Sequence, residues 1–194
     1  MGRQGVNATS MRDVVQHTST PRGSIAFHFP GGKLELMKEA IRLADSHVSE
    51  PLRQFVAEKG TVAGVKAFVD TWRRNLVASD FSGGCPIMAA AVESYVGEKA
   101  DEDVGNSEGN DQPLQQMAYN TFAGWQEIIA QSLRRDGLPP ARARRVAALV
   151  VSSIEGGIAL SRSARDLRPL DDVYSELESM MKSVIQDAVK PSRS

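Results

Sequence analysis

The sequence predicts an all-α fold: a helix-turn-helix module at residues 1–46 joined to a larger helical domain at 47–194. Three observations carry that prediction. Apolar residues recur at intervals of three and four over most of the chain, and no segment alternates apolar with polar as a half-buried strand does. Breaks at Pro30-Gly31-Gly32, Gly83-Gly84 and Pro139-Pro140 are separated by helix-length stretches. Charge is uneven although the total is −1: residues 1–44 carry six Lys/Arg against three acids, whereas 98–111 carry six acids against Lys99.

The elements follow in order. Thr9 or Ser10 caps a first helix to about His17, with Asp13 three residues after Ser10 and Met11, Val14 and Val15 on one face. Thr18-Ser19-Thr20 breaks it. Thr20 caps a second short helix with Pro21 at the first helical position, ending at Phe27–Phe29. A third helix runs from about Lys33 to Ser49, with Pro51 as a restart or bend. Residues 61–79 are amphipathic through Val65, Phe68, Val69, Trp72 and Leu76; "CPIMAAAVESYV" makes a short apolar helix. Gly97–Asp111 reads as an acidic loop. Three longer helices close the chain, at 113–135, 141–165 and 170–189, giving the larger domain about six.

Composition narrows the function. Hydrophobic residues at 41% support a buried core and charged residues at 24% a solvated surface. The single cysteine, Cys85, excludes an intramolecular disulfide and a multi-cysteine zinc site. No signal peptide or membrane span is read, so a cytoplasmic location without membrane attachment is expected. His17, His28 and His47 lie outside any carboxylate cluster, and no phosphate-cradling loop is present. No catalytic residue, metal site or cofactor is expected.

Two short helices with a three-residue break have the layout of a DNA-binding helix-turn-helix. The second begins "TPRGS", where helix-terminal N–H groups suit phosphate. Arg22 can reach guanine or phosphate, and the hydroxyls of Thr20 and Ser24 can do either. Pro21 presets the helix start, and Gly23 allows close approach to the groove. Lys33 is placed to cap the next helix and grip the DNA backbone. A plain helical hairpin with solvated arginine and lysine is the competing reading of the spacing alone.

The stretch "ATSMRDVVQHTSTPRGSIAFHFPGGKLELMKEAI" closely resembles the DNA-binding domain of TetR-family transcriptional repressors. "GCPIMAAAVES" after "ASDF", with "AALVVSSIEGGIALSRS", is similar to the subgroup of lincomycin-resistance and flavonoid-responsive repressors, so the likeness covers nearly the whole chain. The resemblance implies a recognition helix at about Thr20–Phe27 and phosphate contacts at Thr9, His28 and Lys33. It also marks departures. The family's first helix is reduced here to "MGRQGVN", so the module is expected to be N-terminally incomplete, with Val14, Val15, Ile25 and Phe29 losing cover. Ala26 stands where the family has an aromatic, and Ser19 where it has glycine.

In the larger domain Phe68, Trp72, Met88, Val92, Phe122, Trp125 and Ile129 lie on apolar stripes, and each fits a close-packed core. The resemblance implies that together they line a cavity for a small hydrophobic effector. Glu155 and Gln126 are its polar candidates; a buried Glu155 must meet a ligand donor or an arginine such as Arg73. Ser153, Gly157 and Ser161 recur every four residues, and Val173, Leu177, Met180 and Val184 form a seam. Both surfaces are expected in a homodimer interface, the usual family solution.

The expected function is a homodimeric repressor that binds double-stranded operator DNA and is released by a small hydrophobic ligand. The alternative is a ligand-binding, dimerising module that has lost autonomous DNA binding.

Overall fold

A computed structural model describes residues 1–18, 21–94 and 113–190; the expected loop Gly97–Asp111, with Ser19 and Thr20, lies outside them. The described residues form eight helices and no strand: α1 Met11–Thr18, α2 Arg22–His28, α3 Gly32–Lys59, α4 Thr61–Ala78, α5 Pro86–Val92, α6 Leu114–Arg135, α7 Pro140–Ala164 and α8 Arg168–Val189. They make two compact units, Met1–Asp45 with Pro86–Thr121, and Ser46–Cys85 with Phe122–Ser194.

In the first unit α1 starts where Ser10 and Asp13 cap each other. The Asp13 N–H donates to Ser10 Oγ at 3.2 Å, and the Ser10 N–H and hydroxyl donate to Asp13 Oδ2 at 2.9 and 2.7 Å. These bonds, the backbone one foremost, hold the Asp13 carboxyl below its ordinary range. Pro21 occupies the cap position of α2 rather than its first turn, with φ −58° and ψ 137°. After α2 the chain turns at Gly32, whose φ of 69° suits glycine.

The helix does not restart at Pro51: α3 runs through it to Lys59. Leu52 and Val56, beyond the proline, are 0% and 3% exposed. Burying two such side chains contributes about 1.5–3 kcal/mol each, enough to offset the roughly 3 kcal/mol that an interior proline costs.

In the second unit α4 folds back against α3 at Gly64. A Cβ there would lie 2.6 Å from Val56 Cα and 2.7 Å from Val56 N, so only glycine permits this approach. Thr61 Oγ1, at the start of α4, lies 2.6 Å from Ser132 Oγ and 2.5 Å from Asp136 Oδ2, joining α4 to the end of α6. The pairing of α7 with α8 closes over Gly157, where a Cβ would sit 3.0 Å from Leu170 Cδ1. Ser161 Oγ accepts the Leu170 N–H at 3.0 Å, satisfying one of the free donors at the start of α8. By length and composition Pro140–Ala164 could cross a membrane, but half of its most apolar window is buried within the protein, as in the core helix of a bundle.

Candidate DNA interface and effector domain

The exposed surface of α2 is built from few groups. Ile25 is 7% exposed and anchors the helix, Ser24 is half-buried, and Pro21, Gly23, Ala26, Phe27 and His28 face outward. Nothing lies within 4 Å of a Cβ built at Gly23, so the backbone there is open to a close-approaching ligand. Phe27 is 81% exposed and meets the His28 ring edge-on at 5.4 Å between centroids. Arg22 opens the helix.

Two residues expected at phosphates sit inside this unit instead. Thr9 is buried and donates its hydroxyl to Gly5 O at 2.6 Å. Lys33 is buried and its Nζ donates to Asn7 O at 3.1 Å. Nor does Lys33 cap α3: Glu35 Oε2 accepts the Gly31 N–H at 2.8 Å. Glu93 completes the arrangement, its Oε2 accepting the N–H groups of Val6 and Asn7 at 2.9 and 3.0 Å. With Val6 fully buried, these bonds thread the first residues into the unit. Of the side chains expected to lose cover, Ile25 is buried, while Val14, Val15 and Phe29 are half-buried. An open apolar groove of about 390 Å³ runs past Met11, Val15, Ile25 and Phe29.

Five of the expected effector residues, Phe68, Trp72, Trp125, Ile129 and Glu155, are buried in the second unit, and Phe122 is half-buried there. Met88 and Val92 belong to the first unit, where Val92 is 70% exposed. Phe68 meets Trp72 edge-on at 6.5 Å, and Phe122 meets Trp125 likewise at 5.2 Å. The Trp125 indole N–H donates to Ser49 Oγ at 3.0 Å.

Glu155 is 3% exposed, and its Oε2 has no hydrogen-bond partner. Burial pushes its carboxyl up to about 7, against a smaller opposing effect of the hydrogen bond from the Cys85 thiol. Arg73, the arginine considered as its partner, is engaged elsewhere. Its Nε donates to Asp171 Oδ1 at 2.6 Å, its second nitrogen to Asp70, and its guanidinium stacks 5.6 Å from the Tyr174 ring centroid. Those acids keep the arginine firmly protonated, although burial works against it. Tyr174, its hydroxyl also unpartnered, is raised to about 12, chiefly by burial. Among the described residues no group of three or more His, Cys, Asp or Glu is placed to hold a metal ion.

The residues expected at a dimer interface divide. Gly157, Ser161 and Leu177 are buried in the unit, the first two by α8 of the same chain. Ser153, Val173, Met180 and Val184 remain half-exposed. Ser153, Val173, Leu177 and Met180 line an open groove of about 500 Å³ between α7 and α8, with Leu149, Asp172 and Glu176. Along α7 the outward row is Leu149, Ser153, Gly156 and Leu160, spaced four, three and four; Leu149 and Leu160 are 51% and 59% exposed. Nothing lies within 4 Å of a Cβ at Gly156. Sequence spacing missed this second stripe because it falls on the same helix as the buried one.

Among the described residues, a short helix pair near the start and a helical unit closed by two long helices have the layout of a helix-turn-helix module joined to a helical domain. Comparison with known proteins agrees. Residues 61–176 match the family described as "Transcriptional regulator LmrA/YxaF-like, C-terminal domain". An HTH-type transcriptional regulator of Mycobacterium tuberculosis is 36% identical over 178 residues, 92% of this chain and 86% of the relative. The HTH-type transcriptional regulator LmrA of Bacillus subtilis is 26% identical over 184 residues, 92% of this chain and 89% of the relative. The fold also matches TetR regulator structures from Legionella pneumophila and Rhodobacter sphaeroides. Their TM-scores are 0.73 and 0.75 at 20% and 15% identity, with 92% of this chain covered in each case, and 89% and 90% of those chains. The chain belongs to the TetR family of transcriptional regulators, in its LmrA/YxaF-like group.

Proposed function

We propose that this regulator is a cytoplasmic homodimeric repressor that leaves its operator when a small hydrophobic molecule binds the second unit. The observation that supports the reading is the surface of α2: Pro21, Gly23, Ala26, Phe27 and His28 face outward, while Ile25 is buried. Such a helix can enter a major groove edge-first, with Arg22, Gly23 and Ser24 nearest the bases and His28 at the phosphates. Thr20 and Arg22 are both proposed to contact the DNA. Because Thr9 and Lys33 are committed inside the unit, their role is to hold the loop before α1 rather than to touch DNA.

The dimer is proposed to form through the outward row Leu149, Ser153, Gly156 and Leu160 with Val173, Met180 and Val184. A two-fold pairing of that row supplies the cover these exposed apolar groups lack. Phe68, Trp72, Phe122, Trp125, Ile129 and Glu155 supply the effector site. A ligand with different affinity for two dimer geometries then shifts DNA affinity.

Footprinting on the DNA upstream of its own gene tests the reading. Two protected half-sites about one helical turn apart are expected. No preference over random DNA, from a protein that is dimeric and folded, favours the second reading, a dimerising ligand binder without DNA binding. That reading draws on the absence of a polar or aromatic side chain at Ala26.

A further inference from the structure

We propose that Glu155 is the anchor for an effector that carries a hydrogen-bond donor, best a protonated amine, on an apolar body. The inference rests on the effector reading above and sharpens it. Glu155 Oε2 is fully enclosed and accepts no hydrogen bond, while the residue as a whole is 3% exposed. A buried acceptor without a donor costs about 1–3 kcal/mol, and folded interiors leave few of them. Arg73 is committed to Asp171 and Asp70, and the Tyr174 hydroxyl, the other buried polar group without a partner, makes no hydrogen bond to Oε2. The Cys85 thiol meets the same carboxyl, and a thiol is a weak donor.

The surroundings fit an apolar body. Val151 and Ile158, four residues before and three after Glu155 on α7, are 7% and 2% exposed, and so share its buried face. In such a medium a donor reaching Oε2 is worth more than in water, and a charged donor more than a neutral one. A carboxylate on the ligand meets the opposite condition, since two acids placed together resist ionisation.

The test uses the whole chain and four probes that share one apolar body: butylbenzene, 4-phenylbutanol, 4-phenylbutylamine and 4-phenylbutyrate. Binding is followed by calorimetric titration and by the shift in melting temperature. The amine should bind roughly tenfold more tightly than butylbenzene, the alcohol between them, and the acid most weakly. Glu155→Gln keeps the side-chain volume and removes the charge, so it should bring the amine to the level of the alcohol and remove its tenfold advantage over butylbenzene. Equal binding of all four probes overturns the anchor but leaves the effector site standing. An amine preference that survives in Glu155→Gln also overturns it, because the anchor then lies elsewhere. If none of the four binds, the effector site itself is refuted and the anchor falls with it.

Discussion

Glu155→Gln should flatten the dependence of stability on pH. In the folded chain burial raises this carboxyl from 4.5 to about 7. The folded state therefore holds the proton more tightly than the unfolded chain does. Below about pH 4.5 both states are protonated and the residue contributes no penalty. Between 4.5 and about 7 the unfolded chain has released its proton while the folded chain keeps it, so stability falls as pH rises; above about 7 the loss is complete. At about 1.4 kcal/mol per pH unit, the gap between those two values is worth about 3 kcal/mol. Glutamine cannot ionise and so escapes the loss. Urea unfolding of both proteins by circular dichroism, at one fixed protein concentration so that any self-association weighs equally on both, measures it. From about pH 5 to pH 8 the variant should gain most of this relative to the parent. Parallel curves, with a constant difference at every pH, would refute the reasoning, since Glu155 would then ionise as freely in the folded chain as in the unfolded one.

Two glycines should respond with opposite signs. Gly64→Ala drives a Cβ into the Val56 backbone and should destabilise by about 1–3 kcal/mol. Gly124→Ala, inside α6 with nothing within 4 Å, should stabilise by up to about 1 kcal/mol; thermal melts decide both. Thr61→Val removes the hydroxyl shared with Ser132 and Asp136 and should cost about 1–3 kcal/mol in urea unfolding. Leu160→Glu, at an exposed site, should leave the circular dichroism spectrum intact while converting dimer to monomer in sedimentation velocity. A variant that stays dimeric would remove the outward row of α7 from the interface.

What the sequence made legible was local. The Ser10 and Asp13 reciprocal cap follows from residue types three apart, and the apolar stripes of α4, α6 and α7 follow from spacing. Long-range choices were not legible. Proline at 51 reads as a restart or a bend, but whether the helix restarts depends on whether the next turn has something to bury, and Leu52 and Val56 do. A small residue every fourth position announces a close helix approach without naming the neighbour, and for Gly157 and Ser161 the neighbour is α8 of the same chain. Lys33 in a basic module reads as a phosphate contact, yet its ammonium donates a hydrogen bond to the backbone carbonyl of Asn7, 26 residues earlier. The same distance effect hid the partners of Arg73, because Asp171 lies 98 residues away in sequence.

The central claim, that α2 reads an operator, is tested most directly by fluorescence anisotropy. The purified protein is titrated into labelled duplex from the region upstream of its own gene and into a shuffled duplex of the same composition, across a range of salt. The account predicts that the native duplex binds about a thousandfold more tightly or better, with affinity falling steeply as salt rises, and that Arg22→Ala weakens the native complex roughly tenfold. Equal affinity for native and shuffled duplex at every salt concentration would contradict it.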